Sequence, residues 1–144
     1  MSFRISTDKN KLDLVLIHSF LNNHAPWAIG ISVDTVETAI KNSLCFGVFI
    51  DELQIGFARL ITDQATFGYL CDVFILPAHR SNGYGKQLIQ HIFAMPQLKR
   101  LRRIVLVTAD AHELYRLAGF ESLAQPERYM EIHRPQIYQQ SPKH

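Results

Sequence analysis

Hydrophobic and polar positions divide the first third of the chain into one strand-like and two helical segments. Phe3–Ser6 is a short apolar and polar run that predicts a first strand. Apolar residues then recur with a helical period through residues 8–21, and the helix is expected to end before Pro26. Ser32 or Asp34 provides the polar start of a second helix. This part of the chain therefore predicts a strand followed by two helices.

Runs rich in β-branched and aromatic residues dominate the remainder and predict strands separated by short turns. The predicted strands are Leu44–Ile50, Gln54–Thr62, Thr66–Leu76, Ile104–Thr108, Phe120–Leu123 and Tyr129–Ile132. The predicted helices are Gly83–Met95, which stops at Pro96, and Ala111–Leu117, which ends at Gly119. The first three strands of this set form an antiparallel meander.

The order of these elements, β-α-α-β-β-β-α-β-α-β-β, is typical of a mixed α/β (α+β) domain. The strand after Gly83–Met95 returns through a helical crossover and therefore lies parallel to the strand before it. We expect a central, mixed and mostly antiparallel sheet of six or seven strands, flanked by about four helices. Residues 1–133 are expected to form a single domain, and residues 134–144 a poorly ordered tail.

Composition excludes several classes of protein. The 144 residues are 47% hydrophobic and 19% charged, which suits a globular domain, and no apolar run is long enough to span a membrane. A net charge of +2 predicts no nucleic-acid partner. The N-terminus lacks the apolar core of a signal peptide, so we expect a cytoplasmic protein. Cys45 and Cys71 lie in apolar runs and are expected to be free thiols, with no metal site.

A glycine-containing turn carries the clearest chemical signal. It joins the predicted strand 66–76 to the next helix and reads Arg80-Ser81-Asn82-Gly83-Tyr84-Gly85-Lys86. Without Cβ atoms at 83 and 85, a phosphate can approach the free N–H groups of the first helical turn. A dinucleotide fingerprint would need a small residue at Leu88, and a Walker A loop would need glycine at Arg80. The turn therefore predicts a pyrophosphate site, with a plain strand-to-helix turn as the alternative.

A second segment, residues 108–120, reads Thr-Ala-Asp-Ala-His-Glu-Leu-Tyr-Arg-Leu-Ala-Gly-Phe. Its Leu-Tyr-x-x-x-Gly-Phe pattern and the Arg-x-x-Gly-x-Gly turn together resemble the GNAT superfamily of acyl-CoA-dependent N-acetyltransferases. The resemblance covers about residues 44–132 and implies a GNAT-like fold. It also implies acetyl-CoA as the acyl donor and no metal.

The resemblance further implies roles for individual residues. Tyr115 corresponds to the general acid that protonates the coenzyme thiolate, although it could instead be a half-buried packing aromatic. The main chain of the strand before the glycine turn is expected to pair with the pantetheine arm. Asp110 is expected to cap the helix that carries Tyr115. The residues expected to bind the coenzyme are Val73, Phe74, Ile75, Arg80, Ser81, Asn82, Gly83, Tyr84, Gly85, Lys86 and Thr108.

Two further residues are candidates for the acceptor side of the site. Asp72 interrupts an apolar strand, where it could act as a catalytic base, hold a substrate ammonium, or pair with Arg59 on the neighbouring strand. Trp27 lies between the two N-terminal helices, where it could line the acceptor pocket or pack beneath the loop.

The sequence thus predicts an N-acetyltransferase that moves an acetyl group from acetyl-CoA to a primary amine by direct attack. The acceptor is expected to be a small-molecule or peptide amine, and the protein a monomer or a homodimer. The alternative is a non-catalytic acyl-CoA-binding sensor or interaction domain, which would not require Tyr115.

Overall fold

The computed structural model describes residues 2–139 of the chain. In that range one sheet contains the strands β1 (Phe3–Ser6), β2 (Leu44–Ile50), β3 (Leu53–Thr62), β4 (Phe67–Ile75) and β5 (Arg103–Leu106). The helices are α1 (Leu14–His24), α2 (Val33–Lys41), α3 (Tyr84–Phe93) and α4 (His112–Arg116). Short 3₁₀ turns lie at Lys9–Lys11, Pro77–His79, Pro96–Arg100, Pro126–Arg128 and Ile137–Gln139.

Side-chain caps determine where the first two helices begin. The Asp13 carboxylate accepts an N–H from the first turn of α1 at 3.0 Å, and the Ser32 hydroxyl does the same for α2 at 3.1 Å. The predicted start of α1 at Asp8 is therefore too early. Asp8 instead caps the 3₁₀ turn Lys9–Lys11, because its carboxylate accepts the N–H of Asn10.

The strands follow one another across the sheet in the order β1-β2-β3-β4-β5. Neighbours are antiparallel except β4 and β5, which are parallel and joined through α3. The predicted meander and helical crossover are therefore confirmed. This arrangement places the glycine turn at the end of β4, immediately before α3.

Each face of the sheet is covered by a separate apolar cluster. Helices α3 and α4 contribute buried residues such as Leu88 and Tyr115 to one cluster, which we call the α3 core. Helices α1 and α2 contribute Ile17, Phe20 and Val36 to the other, which we call the α1–α2 core. The functional geometry arises where these two layers meet at the end of β4.

The predicted number of strands, six or seven, is too high by at least one, because the sheet in the described residues has five strands. Phe120–Leu123 and Tyr129–Ile132 have strand-like composition but form no ladder with β5. Pro126 starts the 3₁₀ turn that separates them, and the Arg103 guanidinium lies 5.6 Å from the ring centre of Tyr129. Residues 121–132 are therefore an exposed segment without main-chain pairing to the sheet.

The end of the described chain returns to the α1–α2 side of the molecule. Residues 137–139 form a 3₁₀ turn, and the Tyr138 carbonyl lies so close to Gly30 that a Cβ there would approach its oxygen to 2.3 Å. The expectation of a poorly ordered tail also covers residues 140–144, which lie outside the described residues.

Candidate active site

The parallel strands β4 and β5 diverge after a short paired section. Pairing runs from Phe67 with Arg103 to Leu70 with Leu106, whereas β4 continues to Ile75. The main chain of residues 71–75 consequently faces an opening on the β5 side. We call this opening the β4–β5 cleft; it has a volume of about 530 Å³. Its lining includes Val73, Phe74, Ile75, Arg80, Ser81, Gly83, Tyr84, Gly85, Asp110 and Tyr115.

The side chains at the end of β4 pack against the two cores. The β4 backbone is therefore the part of these residues that lines the cleft. Val73 and Ile75 pack against the α3 core. The Phe74 ring stacks on Phe20 of α1, with centroids 3.9 Å apart and planes 14° apart. The Ile75 carbonyl already accepts a hydrogen bond from the Arg80 Nε at 2.9 Å. Residues 73–75 therefore offer mainly backbone groups to a ligand.

The glycine turn brings an uncovered helix start to the cleft. Gly83 is the N-cap of α3 with φ of 79°, in the left-handed region that favours glycine. A Cβ built on Gly83 would meet no atom within 4 Å, and one on Gly85 would only reach Ile75 Cγ1 at 4.0 Å. The first N–H groups of a helix lack intrahelical acceptors, so this open space suits an anion.

Side chains of the glycine turn mainly stabilise the conformation of the turn itself. The Asn82 amide donates to the carbonyl oxygens of His79 and Arg80, at 3.2 and 3.3 Å. The Tyr84 ring stacks on Phe3 of β1, with centroids 4.9 Å apart. Asn82 and Lys86 are not among the residues that line the β4–β5 cleft. The turn therefore presents backbone N–H groups, while Arg80 supplies positive charge beside them.

Tyr115 of α4 lines the same cleft. It is buried near the end of α4, where its ring meets the Phe120 ring edge-on at 6.0 Å. Burial, and then the negative charge of Asp110, raise the pKa of the Tyr115 hydroxyl above its ordinary value. The phenol therefore carries its proton at neutral pH and can give it to a stronger base.

The loop before α4 differs from its prediction. Ala111, not Asp110, is the N-cap residue of α4, and the Thr108 hydroxyl accepts the Ala111 N–H at 3.0 Å. Because Thr108 supplies this hydrogen bond, Asp110 is left to line the β4–β5 cleft beside Tyr115. Thr108 itself lines a neighbouring cavity between β5 and residues 120–123.

A β-bulge places Asp72 on the α1–α2 side of β4. The register between β3 and β4 shifts between Phe57 and Arg59, and Asp72 has φ of 54°. Aspartate tolerates this left-handed conformation better than most residues. Leu70 packs in the α3 core but Phe74 packs in the α1–α2 core, although plain alternation would put both on one face. Asp72 is the extra residue that exchanges the faces.

Asp72 is held by two donors. Arg59 Nε donates to one carboxylate oxygen at 2.9 Å, and Trp27 Nε1 donates to the other at 3.0 Å. Arg59 also reaches the Ser43 hydroxyl at 2.9 Å. Burial lowers the pKa of the Arg59 guanidinium, but Asp72 together with Cys71 and Cys45 more than offsets burial, so the pKa of Arg59 lies above its ordinary value. The predicted pairing of Asp72 with Arg59 is confirmed.

These groups border a second opening, which we call the α1–α2 cavity. It has a volume of about 190 Å³ and lies between the two N-terminal helices and the outer face of β3 and β4. Trp27 lines both this cavity and the β4–β5 cleft, so the two openings meet at its side chain. Polar or aromatic members of the lining are Trp27, Thr35, Phe57, Arg59, Tyr69, Cys71, Asp72 and Tyr138.

The sequence assigns only Trp27 and Asp72 of these positions to the site, and three of the others show why. Arg59 was foreseen only as a partner of Asp72, because its distance along the chain carries no spacing signal. Tyr69 precedes the bulge on β4, and its facing could not be read without the register. Tyr138 was placed in an expected tail, and only its contact with Gly30 brings it to the cavity.

Features of two other classes of protein are absent from the described residues. No helix in residues 2–139 has both the length and the apolar character needed to cross a bilayer. Within the same residues, no three His, Cys, Asp or Glu side chains converge in a way that could hold a metal ion.

Comparison with known proteins identifies the family. The model of the acetyltransferase (GNAT) family matches residues 16–120. A crystal structure from Xanthomonas campestris pv. campestris, described as belonging to the GNAT family, is 46% identical with a TM-score of 0.94 and covers 97% of this chain and 99% of that one. A Gibberella zeae protein that carries an acetyltransferase name is 33% identical over 78% of this chain and 75% of its own length.

A more distant structure shares the fold. It is a predicted acetyltransferase with acetyl-CoA from Clostridium acetobutylicum, with a TM-score of 0.64 and 14% identity over 92% of this chain and 95% of that one. The match to the family model covers more than half of the chain, and the Gibberella zeae relative is similar over most of it. This chain therefore belongs to the acetyltransferase (GNAT) family.

Proposed function

We propose that this protein is an N-acetyltransferase that transfers the acetyl group of acetyl-CoA directly to a primary amine. The observation that carries the proposal is the β4–β5 cleft. One cleft is lined by unpaired β4 backbone, an uncovered helix start with a left-handed glycine, and a buried tyrosine that keeps its proton.

The chain's residues fit an acyl-coenzyme A. The open space above Gly83 and Gly85 leaves room for a pyrophosphate against the first N–H groups of α3, next to Arg80. The free edge of Val73–Ile75 can exchange hydrogen bonds with the amides of a pantetheine arm, as an added strand would. The related fold from Clostridium acetobutylicum contains acetyl-CoA, which supports the same donor here.

Direct attack changes the charge on three atoms: the thioester oxygen, the coenzyme sulfur and the amine nitrogen. A backbone N–H of Val73 or Phe74 stabilises the negative oxygen that develops when the amine nitrogen bonds to the thioester carbon. Tyr115 then gives its proton to the sulfur as the C–S bond breaks. The attacking ammonium loses two protons, of which one replaces the Tyr115 proton, and one proton is released overall.

The thiol of Cys71 lines the α1–α2 cavity, and its pKa favours direct transfer over an acyl-enzyme. Burial is the main cause that raises the pKa of Cys71 to about 12. A neutral thiol is a poor nucleophile, which argues against an acyl-enzyme on Cys71. Both oxygens of Asp72 already accept hydrogen bonds, so we assign to Asp72 the attraction of the substrate ammonium rather than proton abstraction.

Replacing Tyr115 by phenylalanine tests the acid role. The ring and its contact with Phe120 remain, so the fold should persist while the donated proton is lost. We expect kcat to fall by about 10²–10⁴-fold, with unchanged affinity for acetyl-CoA. Thiol release measures the first quantity, and calorimetry the second. The half-exposed Tyr129, which does not line the cleft, gives the matched control Tyr129→Phe.

Two outcomes would contradict the proposal in different ways. Full activity of the Tyr115→Phe variant would remove Tyr115 from the chemistry but keep the transfer reaction. Tight acetyl-CoA binding without thiol release for any amine would indicate the non-catalytic sensor instead.

A further inference from the structure

The α1–α2 cavity has one place for charge, and the rest of its lining is mainly apolar, with uncharged polar groups on Thr35, Tyr69 and Tyr138. Among the described residues that line it, the charged side chains are Arg59 and Asp72, which form an ion pair with a 2.9 Å separation. Their side chains are only 15% and 11% exposed. The walls around them come from apolar residues of α1 and α2, such as Ile17 and Val36, and from Phe57 of β3.

This charge balance limits what the cavity can bind. The positive charge of Arg59 is engaged by Asp72 and Ser43, so it is directed into the protein. A ligand that brought a second ammonium or a carboxylate would have to lose water from that charged group against a mainly apolar lining. Such desolvation is unfavourable unless each polar group finds a partner.

Aromatic side chains from three separate parts of the chain line the cavity together with Asp72, and Trp27 hydrogen-bonds to its carboxylate. Among them are Trp27, Tyr69 and Tyr138. The electron-rich faces of aromatic rings attract cations, and the attraction is largest for tryptophan. One ammonium close to Asp72 is therefore favoured by this lining, while the rest of the ligand faces aliphatic and aromatic carbon.

Tyr138 also limits the length of the ligand. Its main chain rests on Gly30, where a Cβ would come within 2.3 Å of the Tyr138 carbonyl oxygen. This contact brings the C-terminal segment across the α1–α2 loop, and the Tyr138 side chain becomes part of the wall. The cavity that remains, about 190 Å³, suits a small molecule rather than a polypeptide.

We propose that the acceptor is a small primary amine with a single charge and an uncharged, apolar body, and that Tyr138 sets its size limit. The ammonium lies beside Asp72 and Trp27, where the α1–α2 cavity meets the β4–β5 cleft. The body lies against α1 and α2. This inference rests on the proposed acetyl transfer and adds the chemical class of its acceptor.

Matched pairs of amines test the acceptor class. Phenethylamine and phenylalanine differ by one carboxylate, and pentylamine and 1,5-diaminopentane differ by one amino group. With acetyl-CoA as donor, we expect kcat/KM to be at least roughly tenfold higher for the apolar member of each pair, because the added charge must be desolvated. Equal rates, or a preference for the charged members, would overturn the acceptor class and leave the transfer reaction standing.

Binding can be followed without turnover because Trp27 is the only tryptophan of the chain. It is 55% exposed, so a ligand beside it should shift its fluorescence. Saturable shifts with phenethylamine but not phenylalanine, without thiol release, would support the ligand class and reject the proposed function. No shift and no thiol release with either amine would overturn both.

Tyr138→Ala tests the size limit, and Tyr129→Ala is its matched control. The two tyrosines are 38% and 41% exposed, but only Tyr138 lines the cavity. We expect Tyr138→Ala to raise KM for pentylamine several-fold, to admit bulkier amines, and to leave KM for acetyl-CoA unchanged. Tyr129→Ala should change none of these values. Identical behaviour of the two variants would remove Tyr138 from acceptor selection.

Discussion

Adding a single methyl group at Gly85 should strengthen the fold and weaken coenzyme binding. Gly85 is the second residue of α3 and does not have the positive φ that Gly83 has. An alanine Cβ there would lie 4.0 Å from Ile75 Cγ1, which is ordinary contact. Alanine restricts the unfolded chain more than glycine does, so Gly85→Ala should stabilise the protein by about 0.5–1 kcal/mol. That gain corresponds to roughly 2–4 °C in Tm at this chain length.

The same methyl group would project into the β4–β5 cleft, where a phosphate must approach the α3 backbone. Losing one hydrogen bond to a charged group costs about 1.5–3 kcal/mol, which is roughly ten- to hundredfold in Kd. Calorimetric titration of the ligand-free protein with coenzyme A measures the affinity, and a thermal melt of the same sample measures the stability. The two quantities should move in opposite directions.

Substitutions at two other glycines separate the effect on coenzyme affinity from the effect on stability. Gly83→Ala should weaken binding and also destabilise the fold by about 1 kcal/mol, because its φ is 79°. Gly119→Ala should destabilise by a similar amount, since its φ is 100°, but leave coenzyme affinity unchanged because Gly119 does not line the cleft. A Gly85→Ala variant with higher Tm and unaltered affinity would refute the pyrophosphate cradle. A lower Tm for Gly85→Ala would refute the inference that the added methyl group fits beside Ile75.

Two further predictions concern stability. Burial raises the pKa of Cys45 from 9.0 to about 11 and of Cys71 to about 12, so unfolding releases protons above pH 9, and stability should fall by about 1.4 kcal/mol per pH unit for each thiol. In urea titrations at pH 9–10, Cys71→Ala should lower the slope by the contribution of one thiol, while Cys45 and the tyrosines with raised pKa, Tyr69 and Tyr115, keep the remainder. An unchanged slope would contradict this. Arg59→Met should cost about 3 kcal/mol because the buried Asp72 carboxylate loses its partner, and adding Asp72→Asn should recover much of it. Absence of recovery would contradict the ion-pair explanation.

The strands and helices that a local pattern could define were predicted closely. β1 and β2 have the predicted bounds, and Ser32 caps α2 as expected. These features depend on neighbouring residues, such as alternation within a strand or a hydroxyl before a helix. The strand-like segments near Phe120 and Tyr129 failed because a strand also needs a partner, and composition does not provide one.

The site was predicted where backbone chemistry follows from local sequence. Gly83 and Tyr115, both predicted as site residues, line the same cleft, although Gly83 is the left-handed N-cap of α3 and not the first residue of the helix as predicted. The acceptor side depends on long-range contacts. The facing of Asp72 depends on a register shift against β3, and that of Tyr138 on a contact with Gly30, 108 residues earlier in the chain. No spacing rule links such positions.

The bulge at Asp72 also determines which changes of length β4 can tolerate. Deleting Asp72 would remove the bulge and restore plain alternation, with Leu70 and Val73 still facing α3 and Phe74 still facing α1. Both apolar clusters would keep their own residues, whereas Arg59 would lose its carboxylate partner. A one-residue deletion at the bulge is therefore expected to act on the α1–α2 cavity and to spare the two cores.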